Sequence, residues 1–489
     1  MQSNRSLAIA LALTGLASAP AGAAEIAVDQ QMLMQAYEKL LQRVEQLEAA
    51  NKKLEASIEQ NAKKLEQTSV APAASVQTAE MTERLEDIEN QVLTLKKPAD
   101  SGIAIGASMT MVALDAVNGT VTGKNESQLN YLADVEFEIP GDALGKLVSF
   151  GDSKFFAHLR AGQGNSLDSL YPTLTGTTNS SAFGLSNGDE SALILAEAWY
   201  QLGIPLSENK SGQLGRIEAT IGKMDVFGFY DGNAVADDET EFFLNNVFVH
   251  NPLLDSGGDL TADNFGFAPG LNLAYINDVN SVNHWKFSLG VFGSGPGAAF
   301  EDSFSDPFAI GQAEYSGKVL FGLPGNYRFY GWYNGQAVAY ANEFDSTTES
   351  HTGVGFSIDQ QVSRHITLFS RYGYSIDGNV KFDWAFTLGG QLGGASWGRA
   401  TDRVGLAFGW LNPSSEFKAA APTLDADADG NLDFGFTPSG AESQAELFYA
   451  WQINNNFQLT PSVQWVGQPG GDSSAKDILV LGLRAKAAF

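Results

Sequence analysis

The chain contains no cysteine, which removes disulfide scaffolds, zinc ribbons and thiol nucleophiles from consideration. Basic residues are scarce: 29 Lys and Arg stand against 57 Asp and Glu, for a formal net charge of −28. Nucleic-acid binding, which needs clustered cations against phosphate, is therefore not expected. The five histidines have no HExxH or other ligand-like spacing, and no serine nucleophile elbow is expected, so the chain does not read as an enzyme. Past the first two dozen residues, no stretch approaches 18 uninterrupted apolar residues. The mature chain thus has no transmembrane helix and is either soluble after export or membrane-embedded as a barrel.

What is present begins with an export signal. Arg5 precedes the apolar run Leu7 to Leu16 and the small-residue stretch Ala17 to Ala24, which places a cleavable signal peptide at 1–24. Residues 25–67 form a predicted coiled-coil stalk. Leu33, Tyr37, Leu40, Val44, Leu47, Asn51, Leu54, Ile58, Asn61 and Leu65 follow alternating steps of four and three, and the flanking positions are nearly all charged or amide. Residues 68–100 form an Ala/Pro/Ser/Thr-rich linker with a second short heptad, Met81, Leu85, Ile88, Val92 and Leu95, closed by Pro98.

From residue 101 to 489 the hydrophobic period becomes two. Sixteen alternating segments are expected, near 101–113, 127–139, 150–161, 191–204, 214–224, 264–276, 283–293, 310–321, 326–340, 351–361, 365–376, 382–392, 401–410, 442–453, 457–466 and 478–489. This predicts an all-β fold, a transmembrane antiparallel barrel of about 16 strands preceded by a periplasmic helical coiled coil. Connection lengths support it, because short and long connections alternate, with long ones at 162–190, 225–263, 294–309 and 411–441. A soluble multi-domain β-sandwich would give no such alternation. Asp377-Gly378-Asn379, too short for an external loop, and Gly393 to Ala400, long for a turn, fit less well. The last segment carries Leu479, Leu481, Leu483, Ala485, Ala487 and Phe489 on one face and Gly482, Arg484 and Lys486 on the other. A terminal aromatic on an amphipathic last strand is similar to the signal by which outer-membrane barrels are recognised for assembly.

Charges at mid-depth on the lipid face would cost about 2–4 kcal/mol each, so the polar face must line water. Alternation sends Arg160, Glu197, Trp199, Arg216, Glu314, Arg328, Trp332, Arg371, Glu446 and Arg484 to the lumen, with Lys154, His158, Glu218, Lys318 and Asp383. On segment 191–204 it sends Ile194, Ala196, Ala198 and Tyr200 to lipid, and in general it puts aromatic and aliphatic side chains outside. Arg160, Glu197, Arg328 and Arg371 are expected to approach one another at mid-height as a constriction. The barrel region has 19 basic and 43 acidic residues. Guanidinium, carboxylate and aromatic faces together suit a neutral polyhydroxyl solute, whereas an all-Arg lumen would indicate anions.

The runs Ala196-Glu197-Ala198-Trp199-Tyr200, Ile221-Gly222-Lys223-Met224-Asp225 and Asp238-Glu239-Thr240-Glu241-Phe242-Phe243-Leu244-Asn245 resemble the carbohydrate-selective porin family. So do Asn233, Leu459-Thr460-Pro461-Ser462-Val463-Gln464, Gln468-Pro469-Gly470 and Leu481-Gly482-Leu483-Arg484 with the final Phe489. The resemblance implies a sixteen-stranded outer-membrane barrel passing small sugars or polyols by facilitated diffusion, with Arg and acidic residues at a constriction. Glu197 and Arg484 fall within the matched runs. A general or organic-acid porin and a structural anchor between outer membrane and cell wall are the alternatives.

The expected partners are outer-membrane lipid and lipopolysaccharide, carbohydrate solutes, and further copies of the chain joined through the coiled coil, a trimer before a dimer. Peptidoglycan contact by the stalk is the other reading of that segment. Asp425, Asp427, Asp429, Asn431 and Asp433 follow the first half of a calcium loop, with Gly430 at the turn, but position twelve is Phe436. An acidic external loop is the more ordinary reading, and no cofactor is expected beyond a Ca2+ ion there.

Overall fold

The computed structural model describes residues 102–118, 126–141, 152–167, 173–175, 179–183, 190–208, 214–260, 262–263, 265–277, 283–295, 298, 304–342, 347–426, 430–434 and 437–489. The signal peptide, the stalk and the linker heptad lie outside the described residues. Among these residues no helix is long and apolar enough to cross a membrane.

Sixteen strands carry the fold. They are β1 (Ala104–Asn118), β2 (Glu126–Pro140), β3 (Asp152–Gln163), β4 (Ser191–Glu208), β5 (Leu214–Asp225), β6 (Phe267–Asn277), β7 (His284–Phe292) and β8 (Phe308–Gly317). The second half is β9 (Gly325–Ala337), β10 (Glu349–Ser363), β11 (Ile366–Asp377), β12 (Phe382–Gly393), β13 (Arg403–Pro413), β14 (Glu442–Asn454), β15 (Phe457–Gly467) and β16 (Ile478–Ala488). Each strand pairs with its sequence neighbours and β1 pairs antiparallel with β16, closing the barrel. Closure leaves no unpaired edge, the condition for a sheet to sit in hydrocarbon.

Alternation explains the outer face. Leu129, Leu193, Ile221, Leu289 and Phe329 are among its most exposed side chains, as lipid-facing residues must be when no lipid is present. On β16 the exposed Leu481 and Leu483 alternate with the buried Arg484, and the exposed Phe489 follows the strand's last residue. Both irregular connections are real. Residues 378–381 alone join β11 to β12, with Gly378 at φ +124°, and a 3-10 turn at Gly394–Trp397 lengthens the link from β12 to β13.

Three sequence expectations need correction. A β-bulge shifts the β3–β4 register between His158 and Leu159, so Leu193 and Leu195, rather than Ile194 and Ala196, carry the outward face before it, and Ala196 is buried. One extra residue in a ladder reverses facing on one side of it. Lys318 lies past the end of β8, exposed in the turn to β9, and does not line the lumen. The chain also does contain two Gly-x-Ser-x-Gly runs, Gly184 to Gly188, which lies outside the described residues, and Gly394 to Gly398. The second links two strands instead of a strand and a helix, and Ser396 Oγ donates to the Gly393 carbonyl at 3.1 Å.

Candidate functional site

The connection between β5 and β6, residues 226–266, folds back inside the barrel. Its composition dictates this: Phe242, Phe243, Leu244, Phe248, Leu253 and Leu254 could not all face water without a cost of about 1.5–3 kcal/mol for each large side chain. They meet inward apolar residues of the wall, and Phe243 packs at 5.7 Å from Phe369 and 5.0 Å from Phe448. The general expectation that aromatic and aliphatic side chains, Trp199 and Trp332 apart, lie outside is thus corrected. Tyr330, Trp332, Phe369, Leu411 and Phe448 are buried with the loop in one interior cluster. Gly353 makes room for it, since a Cβ there would lie 2.1 Å from the Trp332 ring.

Polar anchors fix the loop around the circumference. Asp231, in a left-handed turn at φ 57°, accepts from Tyr330 Oη at 2.6 Å and from the Asn251 backbone N–H at 2.7 Å. The Arg371 guanidinium lies 3.0 Å from its carboxylate and donates to the Phe248, Asp231 and Ala236 carbonyls. Arg484 donates to the carbonyls of Glu239, Phe242 and Glu241 at 2.6–2.9 Å. Glu446 accepts from the backbone N–H groups of Leu244 and Asn245, and Asn245 caps the one-turn helix α1 (Asn246–Val249). Asp259 receives Trp332 Nε1 at 2.8 Å and contacts His351 Nδ1 at 2.5 Å. Glu241 pairs with Lys486 at 2.6 Å and with Arg403. Burial opposes its charge, but the two cations hold its carboxyl below the usual range.

The sequence expectation placed Arg371, Arg484, Glu446 and Trp332 on the pore surface, and this is corrected. They point inward as alternation requires, but they are 0, 1, 1 and 3% exposed, covered by the loop they hold. A strand pattern reports which face a residue is on, not what has folded over that face. Arg328 is held between Glu314, at 3.4 Å, and Asp359, at 3.0 Å. Arg216 pairs with Glu218 at 2.8 Å.

In the second connection, between β3 and β4, the described stretches 164–167, 173–175 and 179–183 also enter the lumen. Asn130 on β2 bonds to Asn179 and Ser181, Glu442 on β14 accepts from Leu174 N at 2.9 Å, and Ser180 N donates to the Leu244 carbonyl. Leu167 and Leu244 complete an apolar cluster with Val112, Leu114, Val466, Ile478 and Val480. The lumen beside β1, β15 and β16 is therefore filled.

Beside the two loops lies a cavity of about 300 Å³, whose lining includes Arg160, Ser180, Asp225, Glu239, His250 and Phe267. Strand register builds its wall. Arg160 stands opposite Asp134, and His158 opposite Glu197, giving contacts of 2.8 Å for Arg160–Asp134, 2.6 Å for His158–Asp134 and 3.6 Å for His158–Glu197. Glu197 also accepts from Trp199 Nε1 and the Asp225 N–H. The Phe227 ring stacks on His250 at 3.7 Å, and His250 pairs with Asp255 at 3.2 Å. Of the four residues expected at one constriction, Arg160 and Glu197 share this network, Arg371 grips the loop from β11, and Arg328 stays on the wall between Glu314 and Asp359, beside the loop's Gly232. Asp231, Glu239, His250 and Asp259 were missed, although the apolar content of their own loop was a readable sign that it packs indoors.

In the acidic loop, Asp427 and Asp429 lie outside the described residues. Asp425 accepts from Gly430 N and Asp433 from Ala426 N, so both carboxylates turn back on their own backbone. Among the described residues no group of three or more His, Asp or Glu side chains is placed to hold a metal ion.

No curated protein sequence matches the chain. Among solved structures it is similar to the high-pH structure of OprB from Pseudomonas putida, at 18% identity and TM-score 0.63 over 82% of this chain and 96% of that one. The low-pH structure of the same protein gives 14% identity and TM-score 0.46 over 84% and 98%. An anion-selective porin from Comamonas acidovorans gives 11% and 0.46 over 79% and 99%. The first likeness establishes the fold, and the family described as carbohydrate-selective porin, OprB family, matches residues 163–489. The chain belongs to the OprB family of carbohydrate-selective porins and is an outer-membrane β-barrel porin.

Proposed function

We propose that small sugars cross the barrel down their gradient through the cavity beside the two inward loops. The observation that carries this reading is the cavity's lining, in which carboxylates, a guanidinium and ring faces converge. Sugar hydroxyls can donate to Asp225 and Glu239 and accept from Arg160, while Phe227 and Phe267 cover the C–H face of the ring. Glu197, with Trp199, positions this lining by orienting His158 and the start of the loop. Arg371, Glu446 and Arg484 act on permeation by holding the loop in place, and Arg328 does so through Asp359, which accepts from the Ala234 N–H.

The N-terminal heptads act in the periplasm. Both ends of an even-stranded barrel lie on one side, and the terminal-strand signal assigns that side to the periplasm. There the stalk joins three copies or tethers the barrel to the cell wall.

Single channels in planar bilayers test the sugar reading. Concentration-dependent block by neutral monosaccharides is expected. Block by dicarboxylates alone would favour an organic-acid porin, and a folded barrel without conductance would favour an anchor.

A further inference from the structure

The ion pairing around the cavity leaves carboxylates over. Arg160 is matched by Asp134, His250 by Asp255, and Lys223 by Asp263 at 2.6 Å. Asp225 and Glu239 also line the cavity, yet among the described residues neither makes an ion pair within 4 Å. Glu197 lies behind Asp225 and accepts its backbone N–H at 3.0 Å. Arg160 and His250 favour the charged forms of these carboxylates at longer range, while burial pushes the Glu239 carboxyl up, so the negative balance is a property of the ionised cavity. With the carboxyls ionised, Asp134, Glu197, Asp225, Glu239, Asp255 and Asp263 outnumber Arg160, Lys223, His158 and His250 even with both histidines charged. Low-dielectric walls strengthen such a field and concentrate the opposite charge.

One further observation points the same way. The Phe267 ring already carries Arg160 at 5.5 Å and Lys223 at 5.6 Å, so the aromatic surface here accommodates cations.

We propose that this cavity makes the pore cation-selective and sets the charge class of its solutes: neutral sugars pass, protonated amino sugars bind more tightly against Asp225 and Glu239, and sugar acids and sugar phosphates are turned away. This rests on the sugar reading above for its ligands, but not for its ion selectivity.

Full-length protein in planar bilayers separates the two. In a KCl gradient the reversal potential should give a potassium-to-chloride permeability ratio above one, on the order of tenfold. Asp225→Asn with Glu239→Gln should bring it toward one. At pH 7, where the sugar amine is still largely protonated, glucosamine should block at lower concentration than glucose, and gluconate should not block. A wild-type ratio at or below one overturns the proposal without recourse to any variant, as does block by gluconate at lower concentration than glucosamine. A cation-selective channel that none of the three compounds blocks supports the charge assignment and overturns the sugar reading.

Discussion

Arg371 and Asp231 form an ion pair at 3.0 Å in which neither side chain is exposed, and it joins β11 to the first turn of the loop inside the barrel. Removing one partner of such a pair strands the other's charge, at a cost of about 3–5 kcal/mol. Arg371→Met is therefore expected to lower the thermal midpoint in detergent and to give larger, noisier conductance as the loop loosens. Wild-type conductance from the variant would show that the loop is held without this pair.

Arg484 and Glu446 grip the same stretch from β16 and β14, one through carbonyls and one through N–H groups. Arg484→Ala and Glu446→Ala should each destabilise by about 1–3 kcal/mol, because each orphans buried backbone groups. Since both losses free one segment, the double variant should cost less than the two together. Denaturant melts of the four proteins measure this, and strict additivity would mean that the anchors act independently.

Arg160 touches the cavity, whereas Arg371 does not line it. Arg160→Ala is expected to weaken sugar block by about 0.5–1.5 kcal/mol, the worth of one ordinary hydrogen bond. Arg328→Ala should weaken it less, since Arg328 faces Glu314, Asp359 and the loop's Gly232. Blocking constants from titrated single channels decide the order, and equal constants in wild type and both variants would remove these residues from the passage.

Strand boundaries were legible because lipid on one side and water on the other impose a period of two, and every expected segment overlaps an observed strand. The facing of Arg371, Arg484 and Glu446 was also legible. Their role was not, because it depends on carbonyls and N–H groups at 231–248, which carry no side-chain signature in sequence. The bulge at His158/Leu159 escaped for a related reason: Leu193, Ile194 and Leu195 are all apolar, so alternation fails where the register shifts.

His250 gives the loop a pH dependence. Burial opposes its charge, but Asp255, with Asp237 and Asp225 nearby, carries its pKa up to about 9, against about 6.5 in an unfolded chain. Its contribution is thus complete below about pH 6.5 and is lost as pH rises through about 9. Thermal midpoints should fall across that window in wild type and change less in His250→Gln. Matching slopes would exclude His250 as the cause.

Deletion of residues 25–97 should leave the barrel folded, because β1 to β16 close without that segment, while weakening the oligomer or its attachment to the cell wall. Crosslinking of full-length and shortened protein in detergent measures this. The same trimer from both would make the segment a tether, and a strictly monomeric full-length protein would exclude an intermolecular coiled coil.

The central claim is that sugars pass beside the inward loops, and titration of single full-length channels with a neutral monosaccharide tests it most directly. Saturable block is predicted, weakened by Arg160→Ala and preserved in proteins lacking residues 25–97. Conductance unaffected by any neutral sugar, or blocked only by dicarboxylates, would contradict it.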